Sequence, residues 1–224
     1  MNKDNASNED LVVEYEVDGQ NIKLSPKIVQ DYIVGTGSQI TLPEFKFFTE
    51  LCKARRLNPF LKEAYLIKYG NSPAQMVVGK DVIVQRAVLH PQYDGKESGV
   101  ITQDENGEIF ERKGCFYPPN EQLVGGWCKV YRKDWGRPEY MSVSLSEVAQ
   151  KTKDGSFNSN WANKTATMLE KVAKVRALRE AFVDEFAGMY DVDEVPQTQY
   201  TQPEQYVDVD PITKSSEKID INEL

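Results

Sequence analysis

The chain has 224 residues, 40% of them apolar, and its 27 lysines and arginines against 35 aspartates and glutamates leave a net charge of −8. That length buries a sizeable core as one domain with room for tails. It contains no apolar run long enough to cross a bilayer, and the N-terminus MNKDNASNEDLVVEYEVDGQ is too polar and acidic for a secretory signal, so the protein is expected to stay in the compartment where it is made.

In chain order, Ser25 followed by Pro26 is an N-cap with proline at the first helical position, which predicts a short helix SPKIVQDYIV ending at Gly35. Thr41 and Glu44 make the capping box of a second helix with Phe45, Phe48 and Cys52 on its core face. It is expected to stop at LNPF, with Asn58 as a left-handed cap. AYLIKY and QMVVG read as a hairpin around GNSP, and residues 80–90 as a helix closed by Pro91. From Ser98 to Leu145 the pattern is of strands: SGVITQ and EIFERKGCF around Asn106-Gly107, then LVGGWCKVYRK and EYMSVSL around DWGRP. Ser144 and Glu147 suggest a capping box for SEVAQKTK, and a long helix is expected from about Ala162 to Ala187, ending at Gly188. Residues 1–20 read as an acidic arm, 21–195 as one folded α+β domain, and 196–224 as an acidic, proline-bearing tail expected to be disordered.

Charge is segregated along the chain. Residues 1–20 carry one base and six acids, residues 191–224 two bases and nine acids, and the centre 24 bases against 20 acids. Eleven bases fall in 129–179 (Lys129, Arg132, Lys133, Arg137, Lys151, Lys153, Lys164, Lys171, Lys174, Arg176 and Arg179). A basic centre between acidic ends fits either a nucleic-acid face hidden in the overall pI or an ordinary solvated surface.

On the long helix, steps of 100° place Met168, Val172, Val175, Phe182 and Phe186 in one apolar stripe with Arg179 in its middle. A guanidinium there needs an anionic partner, since a buried charge that loses its partner costs on the order of 3–5 kcal/mol. The partner is either an acid of this chain, such as Asp184, Glu185 or a distant one, or an anion from outside. Lys164, Lys171 and Lys174 flank the stripe, as rim cations of a phosphate-binding groove or as snorkelling lysines of a core helix. In the 122–144 hairpin, Trp127, Lys129, Tyr131 and Lys133 share a face. That face is either a base-stacking platform with interleaved cations or the cover of a core.

Enzyme signatures are sparse. There is no G-x-x-x-x-G-K-[ST] or G-x-G-x-x-G, and Cys52, Cys115 and Cys128 with His90 have neither zinc spacing nor a disulfide framework, so they read as reduced thiols. Asp191, Asp193 and Glu194 are either Mg²⁺ ligands of a nuclease or solvated charge at the start of the tail. A third reading is a non-catalytic assembly protein whose basic face is incidental.

Six stretches in order carry a family resemblance: LNPFLKEAYLI (57–67), MVVGKD (76–81), PQYDG (91–95), CKVYRKD (128–134), Trp161 with MLEKVAKVRALREAF (168–182), and FAGMYDVDE (186–194). Together they resemble the phage Bet recombinases, the Redβ branch of the RecT superfamily. The resemblance implies helices packed on a small antiparallel sheet with hairpins, and a long basic helix lining a DNA groove. It implies an ATP-independent protein, without nuclease or nucleotide site, that coats single-stranded DNA left by a partner 5′–3′ exonuclease and pairs it with its complement. It further implies rings or filaments, contact with a host single-strand-binding protein, residence in the cytoplasm of a bacterial host, and no cofactor beyond Mg²⁺ assisting duplex intermediates. Arg179 matches the arginine of the family's R-x-A-F segment, Lys133 the lysine of the YRKD hairpin, and Lys151 or Lys153 the basic loop after it. Lys129, Arg137 and Arg176 join Lys164, Lys171 and Lys174 as candidate phosphate contacts. The chain departs from the branch at Ala166, Thr167 and Val172, where basic residues are usual, and in lacking a second helical domain within 196–224.

Overall fold

The computed structural model describes residues 11–35, 38–68, 72–152 and 154–192. It begins with a hairpin inside the stretch read as an acidic arm: β1 (Val13–Val17) pairs antiparallel with β2 (Gln20–Leu24). Asp18 and Gly19 both have positive φ, 48° and 77°, the two-residue turn that matches strand twist. Tyr15, Val17, Ile22 and Leu24 are buried while Glu14 and Glu16 face out, so the boundary at residue 20 cuts a folded element. Tyr15 Oη donates to the Leu57 carbonyl at 2.9 Å, tying the hairpin to the core.

The helix capped by Ser25 forms as α1 (Pro26–Ile28) and widens into a π-helical turn over Val29–Ile33. α2 (Leu42–Arg55) has the reciprocal capping box, and Phe45, Phe48 and Cys52 are fully buried. Its left-handed cap falls on Arg56 (φ 52°) instead of Asn58. Pro59 holds Asn58 extended (φ −104°, ψ 101°), and the Asn58 side chain accepts from the Phe60 amide of a 3₁₀ turn, Pro59–Leu61. β3 (Ala64–Ile67) and β4 (Gln75–Val78) form the expected hairpin, followed by α3 (Lys80–Leu89).

The main sheet is antiparallel, in the order β6-β5-β7-β8, from β5 (Tyr93–Gln103), β6 (Ile109–Lys113), β7 (Gln122–Arg132) and β8 (Glu139–Ser144). The helix predicted over SEVAQKTK is the single turn α4 (Leu145–Val148). It ends early because Asn158 donates from its backbone to the Gln150 carbonyl and from its side chain to Gln150 Oε1, turning the chain into a loop closed by a Lys151–Phe157 bridge.

The long helix is three: α5 (Ser159–Asn163), α6 (Thr165–Ala181) and α7 (Val183–Phe186), with non-helical backbone at Lys164 (φ −138°, ψ 37°) and Phe182 (φ −131°, ψ 56°). Thr165 Oγ1 donates to the Trp161 carbonyl at the first break. At the second, Arg132 Nη1 donates to the Ala181 carbonyl at 2.6 Å, and the buried Phe182 ring packs between His90 and the Arg132 guanidinium. Arg132 is itself held by Asp134 and stacks on Trp135.

α6 lies across the sheet against Cys128, Val130 and Val143 and is covered on other sides by α3, α4 and α5. Its buried residues, Met168, Leu169, Val172, Ala173, Val175, Ala177, Leu178 and Ala181, point in nearly every direction around the axis. Met168, Val172 and Val175 of the predicted stripe are therefore part of a helix buried on most sides, the pattern of a central core helix, while Phe182 and Phe186 lie beyond its end, at the break and on α7. Burial also pushes the Cys52 and Cys128 thiols up to about 12, so both stay protonated and inert.

Close approach of α6 depends on Gly126, where an added Cβ would stand 2.5 Å from the Leu169 carbonyl oxygen. Gly126→Ala is expected to cost about 1–3 kcal/mol of stability, measured by chemical denaturation. Glu44 yields a pH prediction. Burial opposes its charge, but the Thr41 amide, the Lys68 ammonium and the Ala74 amide outweigh that and hold its pKa at about 2 instead of 4.5. Since the folded value is the lower one, its contribution is complete above pH 4.5 and is lost as pH falls toward 2. A thermal melt series should show Glu44→Gln less stable than wild type near neutrality and converging with it through that window.

Candidate nucleic-acid interface

Arg179 leaves α6 half-buried, its guanidinium 4.5 Å from the centroid of the Tyr190 ring, which is itself 47% exposed. The two nearby acids weighed as its partner are engaged elsewhere: Asp184 lies 3.6 Å from His90 Nε2 and Glu185 3.1 Å from Arg86 Nη1. Just over two turns toward the N-terminus, Lys171 Nζ lies 2.7 Å from Asp191 Oδ1, and that carboxylate is almost wholly buried. The segment after α7 lays Tyr190 on Arg179 and Asp191 on Lys171, so two adjacent residues of that segment cover both cations.

The other cations on α6 go different ways. Lys174 pairs with Glu170 at 2.6 Å, and Ser98 Oγ donates to the same carboxylate at 2.5 Å, so Lys174 is turned toward the sheet. Arg176 reaches Glu147 at 3.2 Å on the side of α4. Lys164, at the break between α5 and α6, is exposed.

On the hairpin, Trp127 is 5% exposed, its Nε1 donates to the Arg112 carbonyl, and Lys129 Nζ lies 4.9 Å from its ring centroid. Lys129 is in turn held by Glu111 at 3.1 Å, which also accepts from Tyr140 Oη, while Tyr131 Oη donates to Glu97 and Glu97 accepts from Lys113. The face thus carries interlocked lysine–carboxylate–tyrosine contacts, with two glutamates that period-two reading of β7 alone does not reveal. Glu97 is held below its usual pKa by Lys113, and Tyr140 is pushed up to about 12 by burial and by Glu111. Lys133 is exposed, with its ammonium donating to the Pro91 carbonyl at 2.9 Å, and Arg137 and Lys151 are exposed on loops. Lys153 lies outside the described residues, as do Asp193 and Glu194.

Among the described residues no group of three or more histidine, cysteine or acidic side chains could hold a metal ion, and no helix is long and apolar enough to cross a membrane. Asp191, read as a possible Mg²⁺ ligand, is instead the partner of Lys171. Sequence reading missed Tyr190 as the aromatic neighbour of Arg179. The signal lay in FAGMYDVDE, where a left-handed Gly188 (φ 76°) turns the chain back.

These features define an α+β protein built around a central helix that carries arginine and lysine side chains to a partly open, aromatic-lined site. The RecT family model matches residues 27–208, and the chain belongs to the RecT family. It is similar to the uncharacterized protein UU154 of Ureaplasma parvum serovar 3, at 30% identity over 182 residues that span 77% of this chain and 73% of that protein. The family is one of phage-associated DNA recombination, whose members generally bind and anneal single-stranded DNA, oligomerise and are not enzymes.

Of the three tryptophans, Trp161 and Trp127 are shielded at 0% and 5% exposure while Trp135 is 41% exposed. Acrylamide quenching of the native protein should therefore reach one emitting class, and Trp135→Phe should abolish it. A quenchable component that survives in that variant would mean that Trp127 is open to solvent and to bases.

Proposed function

We propose that this chain is an annealing protein of the Redβ (Bet) branch, which pairs complementary single strands exposed by a partner 5′–3′ exonuclease in the cytoplasm of a bacterial host. The observation that carries the reading is the RecT match over 27–208 combined with the position of Arg179, half-exposed on a helix that is otherwise core.

Annealing requires two polyanions to approach, and their phosphates repel. Cations that neutralise phosphates without touching base edges lower that repulsion and leave each base free to test its complement. In this reading Arg179 and Lys171 grip the backbone, and the exposed Lys133, Arg137, Lys151 and Lys164 extend the positive field. Base pairing supplies the free energy, in keeping with a sequence that has no P-loop. Mg²⁺ acts only as a screening ion on the duplex intermediate. One subunit contacts too few nucleotides to test homology, so copies assemble along the strand in rings or filaments. The host single-strand-binding protein is the second partner.

The test is fluorescence-monitored annealing of complementary oligonucleotides without nucleotide, comparing wild type with Arg179→Ala and checking fold by circular dichroism. The folded variant should anneal more slowly and show a salt dependence of single-strand affinity shallower by about one unit of slope. Equal annealing by both, with only a lower melting temperature for the variant, would remove Arg179 from the DNA contact.

A further inference from the structure

The segment Gly188–Val192 crosses the face of α6 that carries Lys171 and Arg179, and it is fixed at several points. Arg55 donates to the Ala187 carbonyl just before it. Met189 is buried to 2% exposure, and the Val78 amide at the end of β4 donates to the Tyr190 carbonyl at 2.8 Å. Gln150 Nε2 donates to the Val192 carbonyl at 3.4 Å. Between these anchors Tyr190 lays its ring against the Arg179 guanidinium, and Asp191 presents a carboxylate 2.7 Å from the Lys171 ammonium.

A carboxylate and a phosphodiester are alternative anions for the same lysine, and cation–aromatic contact at Arg179 occupies a face that a nucleotide also uses. We propose that Gly188–Val192 is a displaceable strap, in which Asp191 at Lys171 and Tyr190 at Arg179 hold, in the free protein, the places that a DNA strand takes. The proposal rests on the annealing reading above and adds a threshold to it. One carboxylate tethered in the same chain has a high effective concentration, so a few phosphates displace it poorly. A long strand on adjacent subunits offers many phosphates at once and displaces a row of straps together. The left-handed Gly188 is where the strap turns away from α7, and the chain there has no side chain to hinder a swing. The device favours coating of long single strands over binding of short fragments.

Asp191→Asn keeps the shape and removes the charge. It is expected to raise affinity for a short oligo-dT by about five- to tenfold, with a smaller gain on long strands, and to steepen the salt dependence by about one unit. Unchanged or weaker affinity in a folded variant overturns the proposal. A measurement on wild type decides the matter if that variant does not fold: hydrogen exchange of the Val78 amide with and without saturating oligo-dT. Lifting of the strap breaks its bond to the Tyr190 carbonyl and speeds exchange at Val78, whereas equal or stronger protection in the complex overturns the proposal. If wild type binds no oligo-dT at all, the annealing reading fails and the strap with it; if it binds with Val78 still protected, the strap alone fails.

Discussion

Burial of α6 on nearly every side is the constraint on which the rest of this structure depends. A helix in that position has little solvent face on which to leave its charged side chains, so apart from the exposed Glu180 each meets a neighbour. Lys174 meets Glu170 and Ser98, Arg176 meets Glu147, Lys171 meets Asp191, and Arg179 lies on Tyr190. The ion pairs differ in exposure, and the difference sorts their roles. Lys174 and Glu170 are both largely buried and behave as a structural pair, whereas Glu147 is 66% exposed and its bond to Arg176 contributes little to stability.

The basic centre evident in the composition is therefore only partly available to a polyanion. Lys129 and Lys113 are balanced by Glu111 and Glu97 on one face of the sheet, and Arg132 is committed to Asp134 and to the end of α6. Among the described bases from 129 to 179, what reaches solvent is chiefly a scattered set on loops and at the break before α6, together with the partly exposed Lys171 and Arg179. An electrostatic argument from residue counts overstates such a surface because it cannot see which acids stand within hydrogen-bond distance.

Local signals were legible where a few adjacent residues decide the outcome. The Thr41–Glu44 capping box, the Asn106-Gly107 turn, the β3–β4 hairpin and the four strands up to Ser144 are present as the sequence reads, although β5 begins at Tyr93, ahead of Ser98, and β6 stops at Lys113. The β1–β2 hairpin was equally local, with alternating Val13, Tyr15 and Val17 before Asp18-Gly19, but its acidic outer face disguised it as an arm. The breaks at Lys164 and Phe182 were not legible; side chains from β7 and from His90, just past α3, fix the second of them. Nor was the pairing of the site, since Lys171 finds its carboxylate twenty positions on, across a turn that the helical wheel does not describe.

The bond from the Val78 amide to the Tyr190 carbonyl joins residues more than a hundred positions apart and has a bearing on how the chain comes to be folded. As it leaves the ribosome, the β3–β4 hairpin is complete long before Met189 and Tyr190 exist to cover it, as is α3, which packs on α6. Contacts of such long sequence separation slow folding and leave apolar surface exposed while they wait. The N-terminal half of this protein is thus born with its closing piece still to be synthesised, and its nascent form needs shielding from other copies of itself until the last helices arrive.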